Sequence, residues 1–480
     1  MSNSIYWYDY ETFGIDPRFD RLAQFAGIRT DEDLNIISDP LCLYCQPADD
    51  MLPDPRACLI TGITPQKALQ DGLVEAEFIA RIHAEFSRPG TCIAGFNNIR
   101  FDDEFTRNTL YRNFYDAYAH EWQHGNSRWD IIDMVRLTRA LRPDGINWPE
   151  ADGKPSIRLE LLTRANHISH EAAHDAMSDV YATIAVARLI KQHQPRLYEH
   201  IYQLRKKNGV LQQFNLRKHL PVLHVSSRYK AENGAIAMVM PVCMHPLNKN
   251  AVVVYDLATD PEDFIHIEAT EIAARLYTPA SELPQGVARI PLKLVHINKC
   301  PVIVPVKTMD TAAAERLHIN LDTAEKHRQM LLGQIELVID KTRQVFEQQD
   351  YPESSDPDAQ LYSGGFFSRD DRQRMDTIRH TAPEKLATLA LNFEDNRLPE
   401  LLFRYRARNF PATLSAHEKQ RWNDYRKEKF TNPATEPRTI NRLRADIADI
   451  QQAEDTLGSD LVILEDLLQW LATIYPDISY

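Results

Sequence analysis

Cysteine is scarce. Cys42, Cys45, Cys58, Cys92, Cys243 and Cys300 are the six in 480 residues, too few for a disulfide framework in a chain of this size. Cys42 and Cys45 form one C-x-x-C, but no second Cys or His pair follows at zinc spacing. They are read as residues of an apolar strand. No apolar run approaches the roughly 18 residues of a membrane span, and no basic stretch leading into an apolar one opens the chain. Internal repeats and long low-complexity tracts are missing as well. These absences exclude a secreted disulfide scaffold, a helical membrane protein and a solenoid, and they fit a reducing cytoplasm.

Excess positive charge is missing too. Lys and Arg number 55 against 68 Asp and Glu, for a net charge of −13. The chain as a whole therefore repels polyanions at long range, and any polyanion site must be locally basic. A passive nucleic-acid coat is disfavoured; catalysis is not, since acidic residues also serve to hold metal ions. What is present is ordinary for a globular protein, with 43% apolar and 26% charged residues, and the length predicts two to four domains.

From Ile5 to about Pro195, short β-rich runs alternate with helical periodicity, as in an α/β domain. The runs are Ile5 to Asp9, Arg21 to Arg29, Ile36 to Cys45 and Thr91 to Phe96. Amphipathic stretches cover Glu75 to Phe86, Asp103 to Phe114, Ile131 to Leu141 and Ala176 to His193. Strand-like texture then dominates at Pro221 to Val225, Ala235 to Val242, Ala251 to Leu257 and Val302 to Val306. It ends in one long predicted helix near Thr323 to Gln348. The acidic, turn-rich segment from Asp350 to Asp358 predicts a boundary, and the chain beyond about Leu361 reads as helical.

Three separated segments carry acids where acids are costly. Asp9 and Glu11 lie at i and i+2 of the first predicted strand, so both project from one face, about 6 to 7 Å apart. Two carboxylates on an apolar strand repel each other and resist desolvation, and a divalent cation removes that cost. Alone, a D-x-E more often marks a turn cap and an exposed Glu. A second element, Asn98-Ile-Arg-Phe-Asp102, follows the apolar run at Cys92; Asp102 is the candidate ligand, with Asp103 as the alternative or as a helix N-terminal charge. The third, His174-Asp175-Ala-Met-Ser-Asp179, opens an amphipathic helix with Asp175 as a plausible N-cap. Four carboxylates and one imidazole suit two-metal phosphodiester hydrolysis, with hard cations about 3.5 to 4 Å apart. Oxygen donors favour Mg²⁺, with Mn²⁺ as a substitute, over zinc. His174 is then the general base, because an imidazole titrates near working pH.

These three motifs resemble those of the DEDDh exonucleases, an RNase H-like superfamily. The resemblance extends over essentially the whole chain to the bacterial exodeoxyribonuclease I family. It runs through Tyr8 to Gly14, Leu59 to Pro65, Ser127 to Asp130, Leu141 to Pro149, His296-Ile-Asn-Lys-Cys-Pro301 and Tyr405-Arg-Ala-Arg-Asn-Phe-Pro411. The last two lie outside the catalytic region. The resemblance implies an α/β RNase H-like exonuclease domain (1–195), an SH3-like β-rich domain (196–349) and an all-helical C-terminal domain (350–480). It implies a monomer that clasps single-stranded DNA and removes 5′-mononucleotides processively from the 3′ end in repair and recombination. It also implies binding of the tail of single-stranded DNA-binding protein, with Arg142 carried over to that pocket. Arg158 resembles a DNA-contacting position. Glu11, Thr12 and Phe13 are further candidates for gripping the terminal nucleotide.

Arg404-Tyr-Arg406-Ala-Arg408-Asn-Phe410 alternates cations with aromatics, the combination that tracks a phosphate backbone and stacks bases. Spacing alone reads it as a helix face over core aromatics; the resemblance turns the expectation to DNA. Two other functions are kept open: a 3′→5′ exoribonuclease, since the acids do not distinguish the sugars, and a catalytically silent single-strand-binding scaffold.

Overall fold

The computed structural model describes residues 3–170, 175–347, 354–434, 437–453 and 457–475. Its contacts divide the chain into two compact units. One comprises 1–127, 170–181 and 351–480; the other comprises 128–169 and 182–350.

The first unit is organised by four strands, β1 (Ser4–Thr12), β2 (Leu22–Thr30), β3 (Leu41–Tyr44) and β4 (Thr91–Gly95), in the order β3-β2-β1-β4, while β5 (Ser127–Asp130) falls mainly in the second. β1 is central, antiparallel to β2 and parallel to β4. Its alternation separates two environments. Tyr6, Tyr8 and Tyr10 enter an aromatic core with Phe25, Phe78 and Phe86, so Asp9 and Glu11 take the opposite face. Cys42 is exposed and Cys45 buried, in keeping with strand residues rather than a metal or redox pair.

The helices of the carboxy-terminal segment share cores with this sheet region. Phe13, Cys58 and Ile63 pack with Phe430, Leu443 and Trp470, and Tyr111 and Phe114 pack with Met375, Leu398 and Tyr405. Apolar contact of this extent makes residues 1–127 and the terminal helices one folding body rather than two beads.

The second unit holds a two-stranded ribbon, β6 (Glu150–Ala151) and β7 (Lys154–Pro155), and a five-stranded antiparallel sheet. The sheet strands are β8 (Val222–Val225), β9 (Ile236–Met244), β10 (Ala251–Asp256), β11 (Leu292–His296) and β12 (Ile303–Pro305), in the order β11-β10-β9-β8-β12. The long helix expected near Thr323 to Gln348 is instead two, Leu321–Gly333 and Ile335–Glu347. The break falls at Gly333-Gln334, where glycine's low helix propensity makes an interruption cheap. β11 lacks a clean alternation, and the sequence reading passed over it. No helix among the described residues is long and apolar enough to cross a membrane.

Candidate active site

Three elements of the first unit converge on one acidic cluster. β1 brings Asp9 and Glu11. The helix Ala176–His193 brings Asp179. A carboxylate oxygen of each lies within 4.8 Å of those of the other two. Between Glu11 and Thr12 the pairing with β2 shifts register, with Ala23 of β2 as the extra residue of a bulge, an irregularity of a kind common beside functional sites. Past the bulge, Thr12 donates its hydroxyl to the Gly14 carbonyl at 2.6 Å. Phe13 turns fully into the core beside Phe430.

Asp102 reaches the cluster from β4. After Gly95 the chain passes Asn97 at a φ of 68° and enters the helix Asp102–Arg112. Gly95 permits this path: a Cβ there would stand 2.9 Å from Cβ of Asn98 and 3.0 Å from the Tyr8 carbonyl oxygen. Asp102 is buried, and its Oδ1 accepts the Tyr10 N–H at 3.3 Å. It flanks the close group of three. Asp103 has a different occupation: its Oδ1 accepts from the Tyr8 hydroxyl at 2.5 Å and from Nδ2 of Asn98 at 3.3 Å. Of the two neighbouring acids, Asp102 is the one beside Asp9.

The electrostatics follow from this crowding. Burial, and then the charges of Asp102, Asp179 and Asp175, push the Asp9 carboxyl well above the ordinary range. Glu11 is pushed up to about 9 by burial and by Asp9, Asp179 and Asp175. Such a cluster opposes its own ionisation and suits an incoming hard cation. Asp9, Glu11 and Asp179 could hold a divalent metal ion, and the donor set fits one.

His174 lies outside the described residues. Asp175, which follows it, accepts the Ser178 N–H at 3.2 Å and caps the helix that carries Asp179. A histidine that the motif reading did not single out is present: Nε2 of His170 lies 2.5 Å from Oδ1 of Asp179. Its only sequence signal was a position in the loop leading to that helix.

The predicted DNA-gripping residues fare differently. Arg404, Arg406 and Arg408 are turned inward in this structure. Their side chains are 8%, 6% and 4% exposed, and each is committed to carboxylates. Arg404 pairs with Asp356, Asp358 and Glu400, Arg406 with Glu418, and Arg408 with Asp50 and Asp358. Buried arginines require such partners, and the acids that satisfy them are distant in sequence. Phe13 is likewise buried in the core. In the second unit, Arg158 is exposed and paired with Glu160. Arg142 is half-buried, with its guanidinium donating to the Leu141 carbonyl at 2.6 Å and the Thr308 carbonyl at 2.9 Å.

Comparison with known proteins gives matches along the chain. Family models match at residues 6–187 (Exonuclease), 205–348 (Exonuclease I SH3-like domain) and 355–474 (Exonuclease I C-terminal domain). The fold is thus an RNase H-like α/β region, an SH3-like β-rich region and a helical C-terminal region. Exodeoxyribonuclease I of Escherichia coli is 49% identical over 433 residues, covering 90% of each chain. Exonuclease I from Methylocaldum szegediense superposes with a TM-score of 0.94 at 51% identity, over 98% of this chain and 99% of that one. A zinc-bound complex of the E. coli enzyme with single-stranded DNA gives 0.94 at 45% identity, over 99% and 100%. A structure of SSB with exonuclease I and an inhibitor gives 0.90 at 44%, over 99% and 100%. Identity of this degree along nearly the full length places the chain in the exodeoxyribonuclease I family.

Proposed function

We propose that the chain degrades single-stranded DNA processively from its 3′ end, releasing 5′-mononucleotides, in DNA repair and recombination. The observation that carries the chemistry is the convergence of Asp9, Glu11 and Asp179 within 4.8 Å, with Asp102 beside them. The four carboxylates offer the oxygen donors that Mg²⁺ prefers, in number enough for two ions, with Mn²⁺ as substitute. Bound there, the ions would supply Lewis-acid polarisation of the scissile phosphate and a more acidic water.

The chain's own residues would do the rest. Asp9, Glu11, Asp102 and Asp179 hold charge where the phosphate's reacting oxygens must come. His174, five residues before Asp179, takes the proton of the attacking water as general base. Thr12, next to Glu11, and Arg158 are assigned to the terminal nucleotide. Arg142 is assigned to the acidic tail of single-stranded DNA-binding protein; support comes from the relative solved with SSB. The domain limits proposed are 1–195, 196–349 and 350–480, in a cytoplasmic monomer.

The test is release of mononucleotides from a 3′-labelled single strand, with Mg²⁺, with chelator, and with Asp179→Ala and His174→Ala proteins. Activity is expected only in the wild type with metal. Turnover near wild type in Asp179→Ala would remove that residue from the site. Faster digestion of RNA than DNA would make the enzyme an exoribonuclease, and binding without release would make it a scaffold.

A further inference from the structure

The three clustered acids are not equally well held. Asp9 and Glu11 sit on the central strand of a sheet, whose pairing fixes their direction. Asp179 stands in the first turn of the helix Ala176–His193, with its side chain 19% exposed. It has solvent to swing into and two like charges to swing away from. A carboxylate so placed turns outward unless something holds it.

His170 meets it. Its ring is 4% exposed, and its Nε2 lies 2.5 Å from Oδ1 of Asp179. An imidazole N–H at Nε2 donates one directional bond to a carboxylate oxygen, which is enough to fix the carboxylate's rotation. We infer that His170 is a positioning residue: it anchors Oδ1 of Asp179 and so presents the carboxylate to the cation shared with Asp9 and Glu11. This role differs from that proposed for His174, because the His170 nitrogen faces a carboxylate oxygen of Asp179. Outer-sphere partners of this kind set metal affinity, and their loss typically costs about 10- to 100-fold.

The inference rests on the metal reading of the acidic cluster, and direct titration of Mn²⁺ into the full-length protein separates the two. Binding is followed by electron paramagnetic resonance of free Mn²⁺ in wild type, Asp179→Ala, His170→Ala and His170→Gln. The wild type should bind Mn²⁺, and Asp179→Ala should lose that binding. His170→Ala should raise the Mn²⁺ Kd by about 10- to 100-fold. His170→Gln, which keeps an N–H donor, should recover most of the loss. In digestion assays the half-saturating metal concentration of His170→Ala should rise by the same factor, with kcat at saturating metal within a few-fold of wild type. An unchanged Kd in His170→Ala overturns the positioning role while leaving the metal site standing. A kcat abolished at saturating metal with unchanged Kd also overturns it and points to direct chemistry by His170. A wild type that binds no Mn²⁺ overturns the metal reading and this inference with it.

Discussion

Two groups of desolvated carboxylates lie in the same folding unit and behave oppositely. At Asp9 and Glu11, burial and neighbouring acids raise the carboxyls, Glu11 to about 9. At Asp50 and Asp358, burial alone would do the same, but Arg408, Lys429 and Arg21 around Asp50, and Arg408 and Arg404 around Asp358, outweigh it and hold both well below the usual range. Asp50 is fully buried, 2.9 Å from Nη2 of Arg408 and 3.2 Å from Nζ of Lys429. The difference is where the counter-charge comes from. The chain supplies it for Asp50 and Asp358, joining the sheet region to the terminal helices; for the acidic cluster it is left to a cation from outside.

The largest expected effect is on activity. Asp179→Ala should lower mononucleotide release by more than the roughly 100-fold that loss of an outer-sphere partner costs. In chelator its Tm should not fall, because the substitution relieves repulsion. A large drop in Tm would mean that the acids are structural, and the contrast would fail. Asp358→Ala should behave in the reverse sense. Removing Asp358 leaves Arg408 with Asp50 alone and Arg404 with the less buried Asp356 and Glu400, a cost of up to about 3 to 5 kcal/mol in urea unfolding. Activity per folded molecule should persist. A cost under about 1 kcal/mol would put the network on a par with surface ion pairs.

Metal should act on one group only, and pH on both with opposite sign. Mg²⁺ at a hundred times its Kd should stabilise the fold by about 2.7 kcal/mol, with no such gain in Asp179→Ala. In chelator, the folded state keeps a proton on Glu11 that the unfolded chain loses near 4.5. That stabilisation is complete below this value and is lost as pH rises through about 9. Saturating Mg²⁺ should flatten the decline. Asp50 and Asp358 carry the opposite sign: their contribution is present above the ordinary aspartate value of 3.8 and is lost as pH falls below it. Unfolding free energy against pH, with and without metal, checks both arms.

The sequence made the acidic cluster legible because strand period and loop-to-helix placement are local. Asp9 and Glu11 share a face by a two-residue period, and the helices expected over Glu75 to Phe86 and Ala176 to His193 have those limits. The paired network is not legible in the sequence because its partners are remote. Asp358 closes the acidic, turn-rich segment whose composition predicts a boundary, yet it is 5% exposed and is a counter-charge of Arg404 and Arg408. Asp50 meets Arg408 across 358 residues. Cations alternating with aromatics look the same in sequence whether they face phosphates or buried acids. His170 escaped notice for a related reason: a histidine just outside a motif has no pattern, and only folding brings it to Asp179.

The smallest expected effect tests the reassigned helix Arg397–Asn409. Arg406 donates to Glu418 at 2.5 Å, and Glu418 also accepts the Ser415 N–H at 2.9 Å, closing a capping box on the helix Ala416–Thr431. The Arg406 bond, opposed by burial and helped by Ser415, lowers the Glu418 carboxyl to about 2. Glu418→Gln keeps an oxygen for the cap but removes the charge, so it should cost about 1 kcal/mol at neutral pH. The difference from wild type should shrink as pH falls from about 4.5 toward about 2. Because the helix's arginines face carboxylates, single-strand affinity in chelator should be unchanged in Glu418→Gln and in Arg406→Gln. A loss of affinity in Arg406→Gln beyond its loss of folded protein would return that arginine to the DNA path and make its ion pair a resting-state contact.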